Sequence, residues 1–168
     1  MKRTSHALVV LCLLLAATVS VVAPGVAQTR LVVSGGPAEY DLSGTGWSGT
    51  VGAHLELPIR DWARAELGSG AFWYRTQGDT RVVMLLPEVG AAFQAPPAFP
   101  VYLGVGAGYT LGVAGDPTNE PTVYGALGFS FAPTEDWTIR PEMRVRSIDP
   151  FVGVIAGFTL GVSLRLGA

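Results

Sequence analysis

Apolar and polar residues alternate at every second position along most of this chain, and this period of two constrains the fold more than any other feature. From Trp137 to Arg146 every odd position is apolar, and every even position is threonine, arginine or glutamate. From Val101 to Val113 the odd positions are apolar or aromatic, and the even positions are tyrosine, glycine or threonine. Successive side chains of a β-strand point to opposite faces, so the pattern predicts strands with one apolar face.

Turn-forming residues divide the chain after Ala27 into eight such segments, and no helical pattern interrupts them. The connections are too short for parallel crossovers, which need a dozen residues or more, so neighbouring strands must be antiparallel. The sequence therefore predicts an all-β fold, an eight-stranded antiparallel up-and-down transmembrane β-barrel. The predicted segments are 30–43, 46–58, 62–75, 80–94, 100–114, 121–132, 137–148 and 152–166.

The amino-terminal residues have the pattern of an export signal. Lys2 and Arg3 precede an apolar stretch from Ala7 to Ala23, and small residues follow at 24–27. This is typical of a secretory signal peptide cleaved after Ala27, with an uncleaved anchor helix as the alternative. We expect a signal peptide over residues 1–27 and a single barrel domain over residues 28–168.

Glycine indicates which face of the barrel is inside. Charged residues make up only 14% of the chain, and glycines at positions 104, 106, 108 and 112 share the polar face of one segment. A water-facing surface of glycine would leave the sheet backbone bare. Inside an eight-stranded barrel, in contrast, the space is so narrow that glycine fits well next to a large side chain such as arginine or tyrosine. The apolar face is therefore predicted to face lipid. The alternative is a soluble periplasmic barrel that binds an apolar ligand inside.

Two groups of residues follow from this assignment. Aromatic residues near the segment ends are expected at the membrane interfaces. They are Trp47, Trp62, Trp73, Tyr109 and Trp137. Ionisable residues on the other face are expected inside the barrel as a polar network. They are Glu39, Asp41, His54, Glu56, Arg64, Glu66, Glu88, Arg140, Glu142, Arg144, Arg146 and Arg165.

Arginines and carboxylates are nearly balanced in this inner set, so we expect Arg–Glu pairs that close the lumen and set the strand register. A gate or narrow conduction path is the alternative use of the same residues. A porin for large solutes does not fit eight strands. With one histidine after the signal segment and the carboxylates matched by arginine, no metal site and no cofactor are predicted.

Catalysis has little support in the sequence. A lipid A-modifying acyl hydrolase needs a histidine beside its nucleophile, and His54 has no serine two residues away on its face. We expect no catalytic residue, with a hydrolase that uses His54 as the alternative. No run of like charge indicates nucleic-acid binding. Pro141 lies within a strand pattern without an amide N–H, so we expect a bulge or a missing ladder bond there.

The alternating segments resemble a known family. The stretch from Glu135 to Arg146 resembles the penultimate strand of small outer-membrane barrels of the OmpA and OmpX type, and Val101 to Tyr109 resembles their central strand. The resemblance implies a monomer in the outer membrane of a Gram-negative bacterium, with both termini in the periplasm. It also implies contacts with outer-membrane lipid and lipopolysaccharide, with the barrel assembly machinery and with periplasmic chaperones. The chain departs from the family by ending on Gly167 and Ala168 instead of an aromatic residue.

Overall fold

A computed structural model describes residues 29–41, 48–76, 78–95, 99–115, 119–149 and 152–166. The predicted signal peptide and Trp47 lie outside the described residues. Within them, no helix is long and apolar enough to span a membrane. The strands are β1 (Arg30–Tyr40), β2 (Gly49–Arg60), β3 (Ala63–Arg75), β4 (Arg81–Gln94), β5 (Val101–Tyr109), β6 (Leu111–Ala114), β7 (Pro121–Phe129), β8 (Trp137–Ile148) and β9 (Gly153–Arg165).

All strand pairs are antiparallel, and they close into a barrel. From β1 to β5 and from β7 to β9 each strand pairs with the next one, β6 pairs with β4, and β5 pairs with β7. The β1–β9 and β3–β4 pairs close the ring. The strands β5 and β6 are two parts of one barrel strand, because both pair with β4. The described residues thus form the predicted eight-stranded all-β barrel, with its fifth segment interrupted at Thr110. Arg30 and Arg165 lie side by side at one end, called here the termini end.

The interruption at Thr110 coincides with a proline on the facing strand. The β4–β5 pairing ends at Glu88 and Gly108, and the β4–β6 pairing resumes at Leu85 and Leu111. Pro87 stands between these pairs and has no amide N–H to donate to the ladder. The sequence analysis did not anticipate this break.

The expected irregularity at Pro141 is confirmed as a missing bond rather than a bulge. The β8–β9 register continues through the pair of Pro141 with Leu160. The β7–β8 ladder instead stops at Glu142 and resumes at a single bridge between Ile139 and Phe131, with N···O distances of 2.9 and 2.7 Å. Hydrogen-bonded pairs alternate in antiparallel sheets, so Pro141 occupies the next donor position and cannot fill it.

The two faces of the barrel differ as the alternation predicted. Large apolar side chains are exposed on the outer face of every long strand, including Val51, Leu103, Met143 and Phe158. The residues that alternate with them along each strand point inward, and most of these are buried or half-buried. An outer surface that is apolar over the whole sheet suits a membrane interior, where backbone groups must be satisfied within a closed barrel.

The interior consists of two layers. At the end opposite the termini, the apolar layer packs side chains from five strands, joined by the half-buried Tyr40 and Tyr74. Its buried members are Ala38, Phe72, Val82, Met84, Leu86, Ile148 and Ile155. The second layer, called here the charged layer, consists of arginine and glutamate side chains from β2, β3, β4 and β8. It fills the barrel between the apolar layer and the termini end.

Candidate functional site: the charged layer of the barrel interior

One strand supplies all the central cations of the charged layer. The four central inner positions of β8 are Arg140, Glu142, Arg144 and Arg146, and each is at most 8% exposed. Their spacing of two residues places all four side chains on the same face of the strand. They meet glutamates from β2, β3 and β4 on the other side of the narrow barrel.

Arg144 is the centre of the charged layer. Its Nε donates to Glu142 at 2.8 Å, its Nη1 to Glu88 at 2.9 Å and its Nη2 to Glu66 at 3.4 Å. The guanidinium carbon also lies 4.3 Å from the centre of the Tyr124 ring. One arginine therefore links carboxylates from three strands and orients them.

The other arginines form pairs around this centre. Arg146 donates to Glu88, and Arg140 donates to Glu56. Arg140 also stacks on the ring of Tyr102, whose hydroxyl donates to Glu142 at 2.7 Å.

Arg64 lies at the edge of the layer, where its Nη2 donates to Gln94 at 2.7 Å. Its Nη1 is 3.7 Å from Oε2 of Glu56, which is an ion-pair distance but too long for a hydrogen bond. The layer thus brings together four arginines and four glutamates, so its formal charges cancel. The glutamates are Glu56, Glu66, Glu88 and Glu142.

His54 lies beside two of these glutamates. Gly68 faces it across the β2–β3 pair, and a methyl group on Gly68 would collide with the histidine Cβ and the Ala53 carbonyl. Nε2 of His54 is 3.7 Å from Oε1 of Glu66 and has no hydrogen-bond partner. It therefore has no bond to a serine hydroxyl through this nitrogen.

Three residues from the predicted inner set do not join the layer. Arg165 is the last residue of β9 and is exposed at the termini end. The prediction for Glu39 was wrong because β1 turns its even positions inward, as Val32 and Ala38 show. Asp41 is exposed beyond the end of β1, where it adopts a φ of 54° and accepts a hydrogen bond from the Val154 N–H.

The apolar layer is what sequence reasoning missed. The signal was present in β4, where both faces are apolar from Val82 to Leu86. A strand with two apolar faces cannot supply a polar lumen, so at this level the interior had to be filled by packing. Phe72 and Tyr74 on β3 stack at a centroid distance of 5.5 Å, and Tyr74 stacks on Tyr40 at 5.0 Å.

The cavities found beside the charged layer are small. One has a volume of about 40 Å³ and borders Ser34, Thr50, His54, Glu66 and Arg144. A second, smaller one has about 10 Å³ and borders His54 and Arg140. Such volumes hold one or a few water molecules rather than an organic ligand.

The predicted interfacial aromatics lie at both ends of the barrel. Trp62 is 59% exposed at the termini end and stacks on Phe93 with ring centres 6.2 Å apart. Trp137 begins β8 at the same end, whereas Trp73 and Tyr109 lie toward the other end of their strands.

Known structures share this architecture. No protein-family model and no curated protein sequence matches the chain. Among solved structures, Neisserial surface protein A is similar with a TM-score of 0.66 at 13% identity, covering 82% of this chain and 97% of its own. The fold is that of a small outer-membrane β-barrel.

Two further structures have the same fold. The attachment invasion locus protein Ail of Yersinia pestis has a TM-score of 0.60 at 10% identity, covering 83% of this chain and 99% of its own. The amino-terminal barrel domain of Pseudomonas aeruginosa OprF has a TM-score of 0.58 at 12% identity, covering 85% of this chain and all of its own. Together with the apolar outer surface, this fold makes the chain a transmembrane barrel of the outer-membrane type.

Proposed function

We propose that this outer-membrane barrel is a non-enzymatic structural protein of the cell envelope whose interior is closed to solutes. The observation that carries the proposal is the filled interior, in which the charged layer and the apolar layer lie in series along the barrel axis. An ion that crossed the barrel would have to separate buried ion pairs and then pass a packed apolar layer. Each step is costly, because a buried ion without partners loses several kcal/mol of solvation.

The same observation weighs against the alternatives considered from the sequence. An apolar ligand inside the barrel would need an apolar cavity, whereas the larger cavity is small and bordered by hydroxyls, carboxylates and guanidinium groups. A lipid hydrolase would need a nucleophile paired with His54, and Nε2 of His54 has no hydrogen-bond partner. Neither alternative gains support from a contact in the described residues.

The remaining partners follow from the proposed location. The outer apolar surface would contact membrane lipid and lipopolysaccharide, and the chain would reach the membrane through periplasmic chaperones and the barrel assembly machinery. We propose that the protein functions as a monomer, because the closed sheet leaves no long strand edge for pairing with another copy. Light scattering of the detergent-solubilised protein tests this.

Conductance across planar bilayers tests the closed interior. The full chain, refolded in detergent and shown to be folded by a boiling-dependent shift in gel mobility, is expected to give no stable conductance steps above bare lipid. The matched variant is Leu86→Ala, which opens the apolar layer, with outward-facing Leu85→Ala as its control. Regular conductance steps from the unmodified chain would refute a closed interior, whereas steps from Leu86→Ala alone would identify the apolar layer as the seal.

A further inference from the structure

The ionisable groups of β2 and β3 include three that meet at one point. His54 and Glu56 are two residues apart on the inner face of β2, and Glu66 is the register partner of Glu56 on β3. One ligand atom from each, a histidine nitrogen and two carboxylate oxygens, lies within 4.8 Å of the others. Three atoms at such separations surround a point that small side-chain movements bring within the roughly 2.0–2.2 Å of a zinc–ligand bond.

Each of these residues has a buried atom without a hydrogen-bond partner. The atoms are Nε2 of His54, Oε2 of Glu56 and Oε1 of Glu66. Nε2 of His54 lies 3.7 Å from Oε1 of Glu66, and the two glutamates are 1% and 3% exposed. Buried polar atoms without partners are costly, and two of these three are carboxylate oxygens, so the cluster indicates a missing partner with positive character.

Neighbouring residues engage the other oxygen of each carboxylate. Oε1 of Glu56 accepts from Arg140, and Oε2 of Glu66 accepts from Arg144 and from the Tyr124 hydroxyl at 3.4 and 3.3 Å. Each carboxylate is thus oriented through one oxygen, and the other oxygen of Glu66 lies 3.7 Å from Nε2 of His54. Metal sites commonly have this arrangement, in which hydrogen bonds to the ligating groups set their orientation.

The nearest cations do not satisfy the free oxygens. Nη2 of Arg140 is 3.7 Å from Oε1 of Glu66, and Nη1 of Arg64 is 3.7 Å from Oε2 of Glu56. Both distances exceed a hydrogen bond, and Nη2 of Arg140 is itself without a partner. A metal ion would repel these guanidinium groups, so binding requires Nη2 of Arg140 to turn away from Glu66 while Nη1 keeps its hydrogen bond to Glu56.

We propose that His54, Glu56 and Glu66 form a binding site for a single divalent transition-metal ion. One imidazole with two carboxylates suits zinc and its neighbours in the first transition series, whereas calcium and magnesium prefer sets of oxygen ligands. The cavities beside His54 leave room for a water molecule as a fourth ligand. The ion would join β2 and β3 inside the barrel and complete the charged layer.

Zinc titration of the folded barrel tests the proposal. The full chain carries His6→Gln, so that His54 is its only histidine, and it is freed of metal with a chelator before calorimetry in detergent. We expect saturable binding of one Zn²⁺ per barrel, and at least about tenfold weaker binding after His54→Gln. Glu39→Gln, which removes an exposed carboxylate, is the matched control and is expected to bind as the parent does.

A second measurement does not depend on a variant at the site. In the same His6→Gln protein, zinc is expected to shift the imidazole Nε2 resonance of His54 in nitrogen-detected NMR, because that nitrogen becomes a ligand. Replacement of Zn²⁺ by Co²⁺ is expected to give the visible absorption of a four-coordinate site. Absence of binding, an unchanged His54 resonance or equal binding by His54→Gln would overturn the proposal and leave a buried water molecule as the partner of the three atoms.

Discussion

The charged layer and the apolar layer fill the same barrel by different physical means. Each side-chain nitrogen of Arg144 donates to a carboxylate, and the guanidinium packs on an aromatic ring. Phe72 and Leu86 in the apolar layer have no exposed surface, and they are held by van der Waals packing against neighbouring side chains. Ion pairs depend on geometry and on every partner being present, whereas apolar packing depends on volume and tolerates rearrangement. The charged layer should therefore be the more sensitive to single substitutions.

The difference also bears on why both layers are present. A barrel filled only by apolar residues would have two apolar faces and little to distinguish one register from another, since a shift by one residue exchanges the faces of a strand. A shift of β8 by one residue would turn its arginines outward, away from the glutamates of β2, β3 and β4. We infer that the charged layer specifies the register and that the apolar layer seals the barrel.

The largest effect is expected for Arg144→Ala, which breaks the charged layer at its centre. Removal of the guanidinium leaves Glu66, Glu88 and Glu142 without their shared partner, and loss of one member of a buried pair costs about 3–5 kcal/mol. Urea titration of the folded barrel in lipid vesicles measures this loss.

The control for Arg144→Ala is Val145→Ala, the next residue on the strand. Val145 points outward and is 39% exposed to the surrounding lipid, so it should lose less than half as much. Equal losses for the two variants would mean that the ion pairs of the charged layer contribute no more to the stability of the barrel than an outward-facing valine does.

A smaller effect is expected for Leu86→Ala in the apolar layer. This side chain is fully buried among Phe72, Val82 and Met84, and its truncation leaves a cavity that costs about 2–4 kcal/mol. Outward-facing Leu85→Ala provides the comparison in the same urea titration. If Leu86→Ala proved more harmful than Arg144→Ala, the apolar layer rather than the charged one would dominate stability.

The sequence was sufficient to predict the barrel fold and which residues of β8 share its inner face, because both depend on alternation along single strands. The residues of β8 show this, since their faces follow directly from odd and even positions. The pairs themselves were not predictable. That Arg144 meets Glu66 across 78 positions depends on the register and curvature of the closed barrel, which no local pattern encodes.

Other features required knowledge of neighbouring strands. The inward prediction for Glu39 was wrong because β1 lacks a clear alternation, with apolar residues in succession at 31–33 and adjacent glycines at 35 and 36. The break at Thr110 arises from Pro87 on the facing strand, so it is invisible in the sequence of the broken segment itself. The meeting of His54, Glu56 and Glu66 likewise needed the β2–β3 register, although the two-residue spacing of the first pair was visible.

The smallest effect tests how tightly the charged layer is packed around its aromatic rings. Gly106 on β5 faces Tyr124, and a methyl group there would lie 2.5 Å from the tyrosine ring and from the Val89 carbonyl. Real Cβ atoms do not approach that closely, so Gly106→Ala should displace the ring beneath Arg144 and cost about 1–3 kcal/mol.

The matched control for this variant lies beside the same tyrosine. Gly125 on β7 points outward, and a methyl group there would meet nothing within 4 Å. Glycine weakens a strand by about 0.5–1 kcal/mol relative to alanine, so Gly125→Ala should leave the stability unchanged or raise it slightly. Opposite signs for the two variants in one urea series would show that the interior around Tyr124 has no spare volume. If Gly106→Ala left the stability unchanged, the tyrosine ring could move without disturbing Arg144. The charged layer would then tolerate rearranged packing as well as the apolar layer does.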